Sequence, residues 1–287
     1  MIRRGFRFGT NLISHGDIGQ IRDQVRQAED CGIDVIVVPD HLGVGAPFPI
    51  MLAAASVSTS IRVGSFVLTT GFYSPRLLAR DIATVDRLTD GRVEIGLGAG
   101  YVQQEYEAAG VPFLSPAGRV QQLADAVGEL RGLLSSSHHW PRPIQSTVPI
   151  MIAGKGDKIL KLAAQHADII AISDAKTYAD LAERAAYVRD AAGQRADTPE
   201  LNLGIFDVAI DRSPDLGLMR VYRPHDSDDQ LLASPTLLHG SKADLVERVL
   251  ALREKLGISY LTYMGVDPRG LKDFHSLIAA LPRDLRI

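Results

Sequence analysis

The 287-residue chain carries 31 Lys and Arg against 34 Asp and Glu, a formal net charge of −3, and 46% of its residues are hydrophobic. This is the balance of a globular protein with a substantial core, and it excludes the basic face that sequence-independent nucleic-acid binding requires. No stretch approaches the ~18 uninterrupted apolar residues of a membrane span, and no apolar run follows the opening "MIRRGFRFGTN", so the expected location is the cytoplasm. The single Cys31 rules out an internal disulfide and a zinc site of several thiolates.

Short β-branched segments alternate with helical patterns along the chain, the mark of parallel βα units. The strand candidates are Phe6 to Leu12, Asp34 to Pro39, Val63 to Leu68, Val93 to Leu97, Pro149 to Ala153, Asp168 to Ile172, Leu201 to Val208 and Tyr260 to Met264. After the first, Ile18, Ile21, Val25, Ala28 and Cys31 follow helical spacing, which makes Cys31 a core thiol. After the third, Pro75 suits a first helical position, Leu77, Leu78, Ile82, Val85 and Leu88 supply the apolar face, and Gly91 ends the helix. A long helical run follows over Ala117 to Leu134, and the last helices are expected near Ala243 to Leu256, closed by Gly257, and Leu271 to Leu281.

Eight such units predict a single domain over 1–287, an α/β TIM (β/α)8 barrel, with a doubly wound open sheet as the alternative. Two insertions, Gln103 to Pro149 with its polar "SSSHHWPRPIQS" and the stretch from Asp211 to Ser241, are expected as insertion loops on the C-terminal rim.

In a barrel the functional groups gather at the C-terminal strand ends. The second strand ends in "VVPDHLGVG", which places Asp40 and His41 there, a titratable imidazole next to a carboxylate. The fourth ends in "IGLGAGY", whose glycines do not fit the six-residue dinucleotide fingerprint. They serve either close approach to a flat ligand or tight packing within the barrel. The fifth ends in "PIMIAGKGDKIL", where Gly154, Lys155 and Gly156 precede a helix and form a candidate anion site. "SHHWPRP" has no carboxylate at helical spacing, so no metal is expected, and Glu94 begins its strand and is not placed for glycosidic cleavage.

The run "VGSFVLTTGFYSPRLLARDIATVDRLTDGRVEIGLGAGY", with "VPDHLG", "IAGKGDKILKLAAQHADII" and "LHGSKADLVERVLALREKLGISY", resembles the bacterial-luciferase-like superfamily of flavin and deazaflavin oxidoreductases. The similarity covers nearly the whole chain except about Asp211 to Pro235. The resemblance implies a barrel that binds coenzyme F420 or FMN at the strand C-termini, with a non-prolyl cis peptide behind the ring. That bond falls between Phe66 and Val67, with Leu68 and Thr69 following. By the same carry-over, Asp40 and His41 match the Asp-His pair of deazaflavin-dependent dehydrogenases, with His41 catalytic. Ala99, Gly100, Tyr101 and Gln104 match the loop along the ring and ribityl chain, and Ala153, Gly154, Lys155 and Gly156 match the phosphate cradle. Asn11, Phe72 and Tyr222 are the candidate substrate contacts, with Tyr222 to Leu232 as a lid.

Two positions depart from the sugar-phosphate dehydrogenases of this group, since Tyr101 and Gly45 stand where those enzymes have a glutamate and a tryptophan. Tyr73 and Ser74 replace a frequent Arg-His. The implied function is therefore hydride transfer between F420 and a small organic substrate. The alternatives are an FMN-dependent monooxygenase served by a separate flavin reductase, or a non-catalytic binding homologue on the same barrel. Relatives are frequently dimers, so a homodimer is expected.

Overall fold

The computed structural model describes residues 4–195 and 197–287. Its strands are β1 (Arg7–Asn11), β2 (Val35–Val38), β3 (Arg62–Ser65), β4 (Leu68–Thr69), β5 (Val93–Gly98), β6 (Ile150–Gly154), β7 (Ile169–Ile172), β8 (Glu200–Ile205), β9 (Asp207–Ile210), β10 (Leu237–Gly240) and β11 (Ile258–Tyr263). Parallel pairing runs from β1 through β2, β3, β5, β6, β7, β8 and β11 back to β1, a closed barrel of eight strands. This is the expected TIM barrel.

Between the strands lie α1 (Ile18–Asp30), α2 (Pro47–Ala55), α3 (Pro75–Leu88), α4 (Gln103–Ala108), α5 (Pro116–Ser135), α6 (Asp157–His166), α7 (Tyr178–Ala192), α8 (Gly217–Tyr222), α9 (Asp228–Leu232), α10 (Lys242–Ala251) and α11 (Pro268–Ala280). Their ends follow local chemistry. Asp17 accepts from the Gln20 N–H at 3.0 Å to start α1, reciprocal capping boxes start α7 at Thr177 and α10 at Ser241, and Pro75 opens α3. Beyond α10 a π-helical turn over Leu252–Leu256 ends at Gly257, which is left-handed with φ 74°.

Five expectations are corrected, the fifth in the position of the histidine-bearing loop described below. Cys31 is not a core residue: α1 stops at Asp30, so Cys31 is the half-buried C-cap, and burial pushes its thiol up. The third strand is interrupted between Ser65 and Leu68 by the cis Phe66–Val67 peptide. The seventh predicted strand breaks at Phe206, because its second half leaves the barrel and pairs in parallel with β10 as a separate two-stranded sheet. The stretch from Asp211 to Ser241 thus holds α8, α9 and β10 and is not one open loop, although it does leave from a strand C-terminus.

The histidine-bearing end of the other insertion lies on the opposite face from the rim. It follows α5, and the fully buried Asp86 carboxylate accepts from the Ile144 and Gln145 N–H groups and from the Gln145 amide at 2.6 Å. The same amide donates to the Val93 carbonyl, at the N-terminal end of β5, at 2.9 Å.

Strand alternation divides the barrel interior from the helix-facing core. Outward Val63, Val93, Ile95, Leu97, Ile150 and Ile152 pack under the helices, and inward Val35, Val37, Met151, Ile169, Ala171 and Tyr260 form a second cluster. The lower interior is ionic. Arg7 reaches Glu94 at 2.9 Å and Glu200 at 3.5 Å, and the Tyr260 hydroxyl donates to Glu94 at 3.1 Å. Glu94 is therefore part of the barrel floor at the N-terminal end, far from the catalytic rim, as its position at the strand start implies.

Candidate functional site

The upper interior is built differently. Alternation turns Gly98, Ala153, Ala171 and Gly204 inward at the tops of β5, β6, β7 and β8, so four consecutive strands present nothing larger than a methyl group. The result is a bowl of small, uncharged side chains, of which Gly98 and Ala171 are themselves buried. Asn11 borders it at the end of β1, its amide donating to the Met264 carbonyl at 3.0 Å.

The β2 end supplies the titratable groups. Asp40 is 9% exposed, its carboxylate accepts from the Thr69 N–H at 2.9 Å, and the Tyr73 hydroxyl neighbours it. Burial raises the Asp40 carboxyl above its ordinary value, while the Thr69 and Tyr73 contacts oppose that rise. Asp40 thus ties the end of β2 to β4. His41 beside it extends toward α4, where its Nδ1 meets Glu105 Oε1 at 2.9 Å and Oε2 at 3.2 Å. A carboxylate acceptor places the ring proton on Nδ1 and leaves Nε2 for whatever occupies the bowl.

Aromatic rings continue from there across the mouth. Tyr101 lies edge-on to His41, with ring centres 6.2 Å apart, and Tyr222 lies 5.4 Å from Phe206. The Tyr101 and Tyr222 hydroxyls face each other. Tyr222 thus joins Tyr101 from the inserted α8, as a lid residue would. Phe72 packs at 4.9 Å on Tyr106, which also meets Phe113 at 5.1 Å, a stack beneath the 99–101 loop. The Tyr106 hydroxyl donates to the Ala99 carbonyl at 3.1 Å, and Arg119 Nε donates to the Gly100 carbonyl at 3.0 Å. Gln104 is exposed on α4.

Of the two readings of the fourth-strand glycines, tight packing has direct geometric support. A Cβ on Gly96 would sit 2.3 Å from the Ser65 carbonyl oxygen, one on Gly98 2.7 Å from a Val67 methyl, and one on Gly100 2.4 Å from the Tyr106 hydroxyl. Their neighbours are protein atoms, so tight packing accounts for all three, and Gly100 also needs its φ of +71°. Gly154 resembles Gly96, because a Cβ there would meet Ile159 of α6 at 2.4 Å.

Lys155 projects outward, and its Nζ lies 2.6 Å from Asp174 Oδ2 after β7. Gly156 caps α6 without a side-chain bond, so the backbone N–H groups of the first turn remain open to an anion. The structure therefore brings Asp40, His41, Thr69, Tyr101 and Tyr222 together, and sets Gly154, Lys155 and Gly156 apart on the β6 side.

Glu105, Asp174 and Phe206 were not read as site residues from the sequence, and Tyr73 was read only as a departure from a frequent Arg-His. Glu105 has one signal, its position one helical turn beyond Tyr101, but its partner His41 is 64 residues away.

Comparison with known proteins assigns the barrel to a family: residues 5–233 match the model of the luciferase-like monooxygenase family. The chain belongs to this family. Among individual relatives, an F420-dependent glucose-6-phosphate dehydrogenase of Amycolatopsis mediterranei is 29% identical over 191 residues, covering 58% of this chain and 56% of that protein. The chain spans about half the length of the curated relatives it matches, from 48% to 56%.

Solved luciferase-like structures share the whole barrel. An F420-dependent secondary alcohol dehydrogenase with an F420–acetone adduct aligns with TM-score 0.79 at 18% identity, over 97% of this chain and 99% of that one. The oxygenating constituent of 3,6-diketocamphane monooxygenase from Pseudomonas putida, in complex with FMN, aligns with TM-score 0.76 at 16% identity, over 99% of each chain. Luciferase-like enzymes thus include users of both cofactors. No helix among the described residues is long and apolar enough to cross a membrane.

Proposed function

We propose that this luciferase-like chain is an F420-dependent oxidoreductase acting on a small organic substrate. The observation that carries the reading is the His41–Glu105 pair at 2.9 Å, set on the border of an uncharged bowl with Nε2 unclaimed. When bound, the deazaflavin would supply or accept the hydride. Gly98, Ala153, Ala171 and Gly204 would receive its ring, Val67 and Thr69 would back it, and the backbone of Gly154 to Gly156 would hold its phosphate.

His41 would move the accompanying proton. Its Nδ1–H stays bonded to Glu105, which fixes the ring, so Nε2 can donate to a substrate oxygen or accept from one. Tyr101 and Tyr222 would exclude water above the site.

The decisive experiment is parallel titration of the purified protein with F420 and with FMN, followed by absorbance and fluorescence. Tighter binding of F420 is expected. Preference for FMN would replace this reading with an oxygen-using monooxygenase, and failure of both to bind at micromolar concentration would leave a non-catalytic binding protein.

A further inference from the structure

Resting on that reading of the site, we infer that the substrate is an uncharged, mainly apolar molecule with one carbonyl or hydroxyl group, and that phosphorylated or carboxylated compounds are rejected.

The rim carries the argument. The loops that follow β1, β2, β4, β5 and β11 contain no Lys or Arg, and those after β6, β7 and β9 contain five: Lys155, Lys176, Arg212, Arg220 and Arg223. Each is already matched with a carboxylate. Lys155 pairs with Asp174 at 2.6 Å, Lys176 with Asp226 at 3.6 Å, Arg212 with Asp207 at 3.2 Å, Arg220 with Asp228 at 2.7 Å and Arg223 with Asp226 at 2.5 Å. An anionic substrate held by one of these five cations would have to compete with its carboxylate, Arg119 is already spent on the Gly100 and Leu114 carbonyls, and the groups beside His41, Glu105 and Asp40, are acidic. Like charges brought together in this way oppose binding.

The same loops expose apolar surface. Ile13, Leu42, Tyr101, Val221, Tyr222 and Val266 are between 43% and 75% exposed, and they stand on segments after β1, β2, β5, β9 and β11. A mouth lined in this way gains by covering apolar surface. The open N–H groups at α6, the feature suited to an anion, lie on the β6 side and are reserved for the cofactor phosphate.

The chemistry balances with the deazaflavin as redox partner. In reduction, bound deazaflavin would supply the hydride whose electron pair forms the new C–H bond, and the carbonyl oxygen, taking the π pair, would form its O–H bond with the proton from His41 Nε2, so that the cofactor is left oxidised and Nε2 unprotonated. In oxidation, the hydroxyl proton passes to Nε2 and the carbon hydride to the oxidised cofactor.

The test is calorimetric binding to cofactor-saturated protein of three probes: cyclohexanone, the matched anion cyclohexanecarboxylate, and glucose 6-phosphate. Cyclohexanone is expected to bind at least about tenfold more tightly than either anion, a difference of about 1.4 kcal/mol. In Asp226→Asn, which frees Lys176 and Arg223, the gap should narrow. Equal or tighter binding of an anion to the unmodified protein, or no binding of cyclohexanone, overturns the inference. The cofactor titration is done first, so failure to bind F420 or FMN counts against the proposed function, and a cofactor-loaded protein that prefers anions counts against this inference alone.

Discussion

Replacing Gly96 by Ala tests whether the fourth-strand glycines belong to the barrel or to a ligand. The added Cβ would lie 2.3 Å from the Ser65 carbonyl oxygen and 2.8 Å from a Val67 methyl. Neither neighbour can yield freely, because Ser65 Oγ bonds to both the Gly96 carbonyl at 2.9 Å and the Gly96 N–H at 3.0 Å. The methyl must push β3 from β5 at the seam that closes the barrel. Overpacking of this kind costs about 1–3 kcal/mol, and contact with fixed backbone puts Gly96→Ala at the upper end, about 3 kcal/mol. For a chain of this size that lowers the melting midpoint by roughly 6–12 °C. Gly128→Ala is the control: Gly128 lies inside α5 with nothing within 4 Å of an added Cβ, so helix propensity should stabilise by about 0.5–1 kcal/mol. Calorimetric melts of the three proteins decide the matter. A Gly96→Ala midpoint at or above that of the parent, with weaker cofactor binding, would refute the packing argument and restore the ligand-approach reading.

Substituting His41 by Ala should reduce turnover at least about a hundredfold and leave cofactor affinity nearly unchanged, as steady-state rates and the cofactor titration together would show. Unchanged turnover would remove His41 from the chemistry. Asp86→Ala should cost about 1.5–3 kcal/mol in urea unfolding, because it removes the fully buried carboxylate that accepts from the Ile144 and Gln145 N–H groups and from the Gln145 amide. Wild-type stability in that variant would mean the loop holds itself. Burial keeps the His275 imidazole below its ordinary value of 6.5, so its contribution to stability is complete above that pH and is lost as pH falls through it toward the folded value. His275→Gln should flatten the acid limb of melting midpoint against pH, and an identical slope in both proteins would refute that assignment.

The eight barrel strands were readable because a buried parallel strand is a short β-branched run, bounded by glycines, prolines and polar residues at each end. What escaped depended on partners distant in sequence. The break at Phe206 exists because β9 pairs with β10, some thirty residues on, and the β-rich run from Leu201 to Val208 contains nothing that separates its two sheets. Cys31 continued a helical spacing that the chain abandons at Asp30, so its register was right and its burial was not. The site was half visible. Asp40, His41 and Tyr101 stand at strand ends, where a barrel concentrates function, and the cis Phe66–Val67 bond followed from resemblance. Glu105 turns back to β2 from α4, and Asp174 takes Lys155 from a neighbouring strand, neither of which leaves a local trace.

One pattern joins the fold to the site and is written with a period of two. Read upward along the inward face, β5 carries Glu94, Gly96 and Gly98; β6 Met151 and Ala153; β7 Ile169 and Ala171; β8 Glu200, Asn202 and Gly204. Side-chain volume falls from bottom to top on four adjacent strands. At the bottom, large ionised groups fill the interior and hold one another, an arrangement that is costly to break once buried. At the top the shrinking side chains leave the bowl, and its lack of charge follows because glycine and alanine have nothing to ionise. The small, uncharged lining therefore needs no special loop to create it: the same alternation that packs the barrel also thins its upper interior, and the loops have only to supply His41, Glu105 and the aromatic cover.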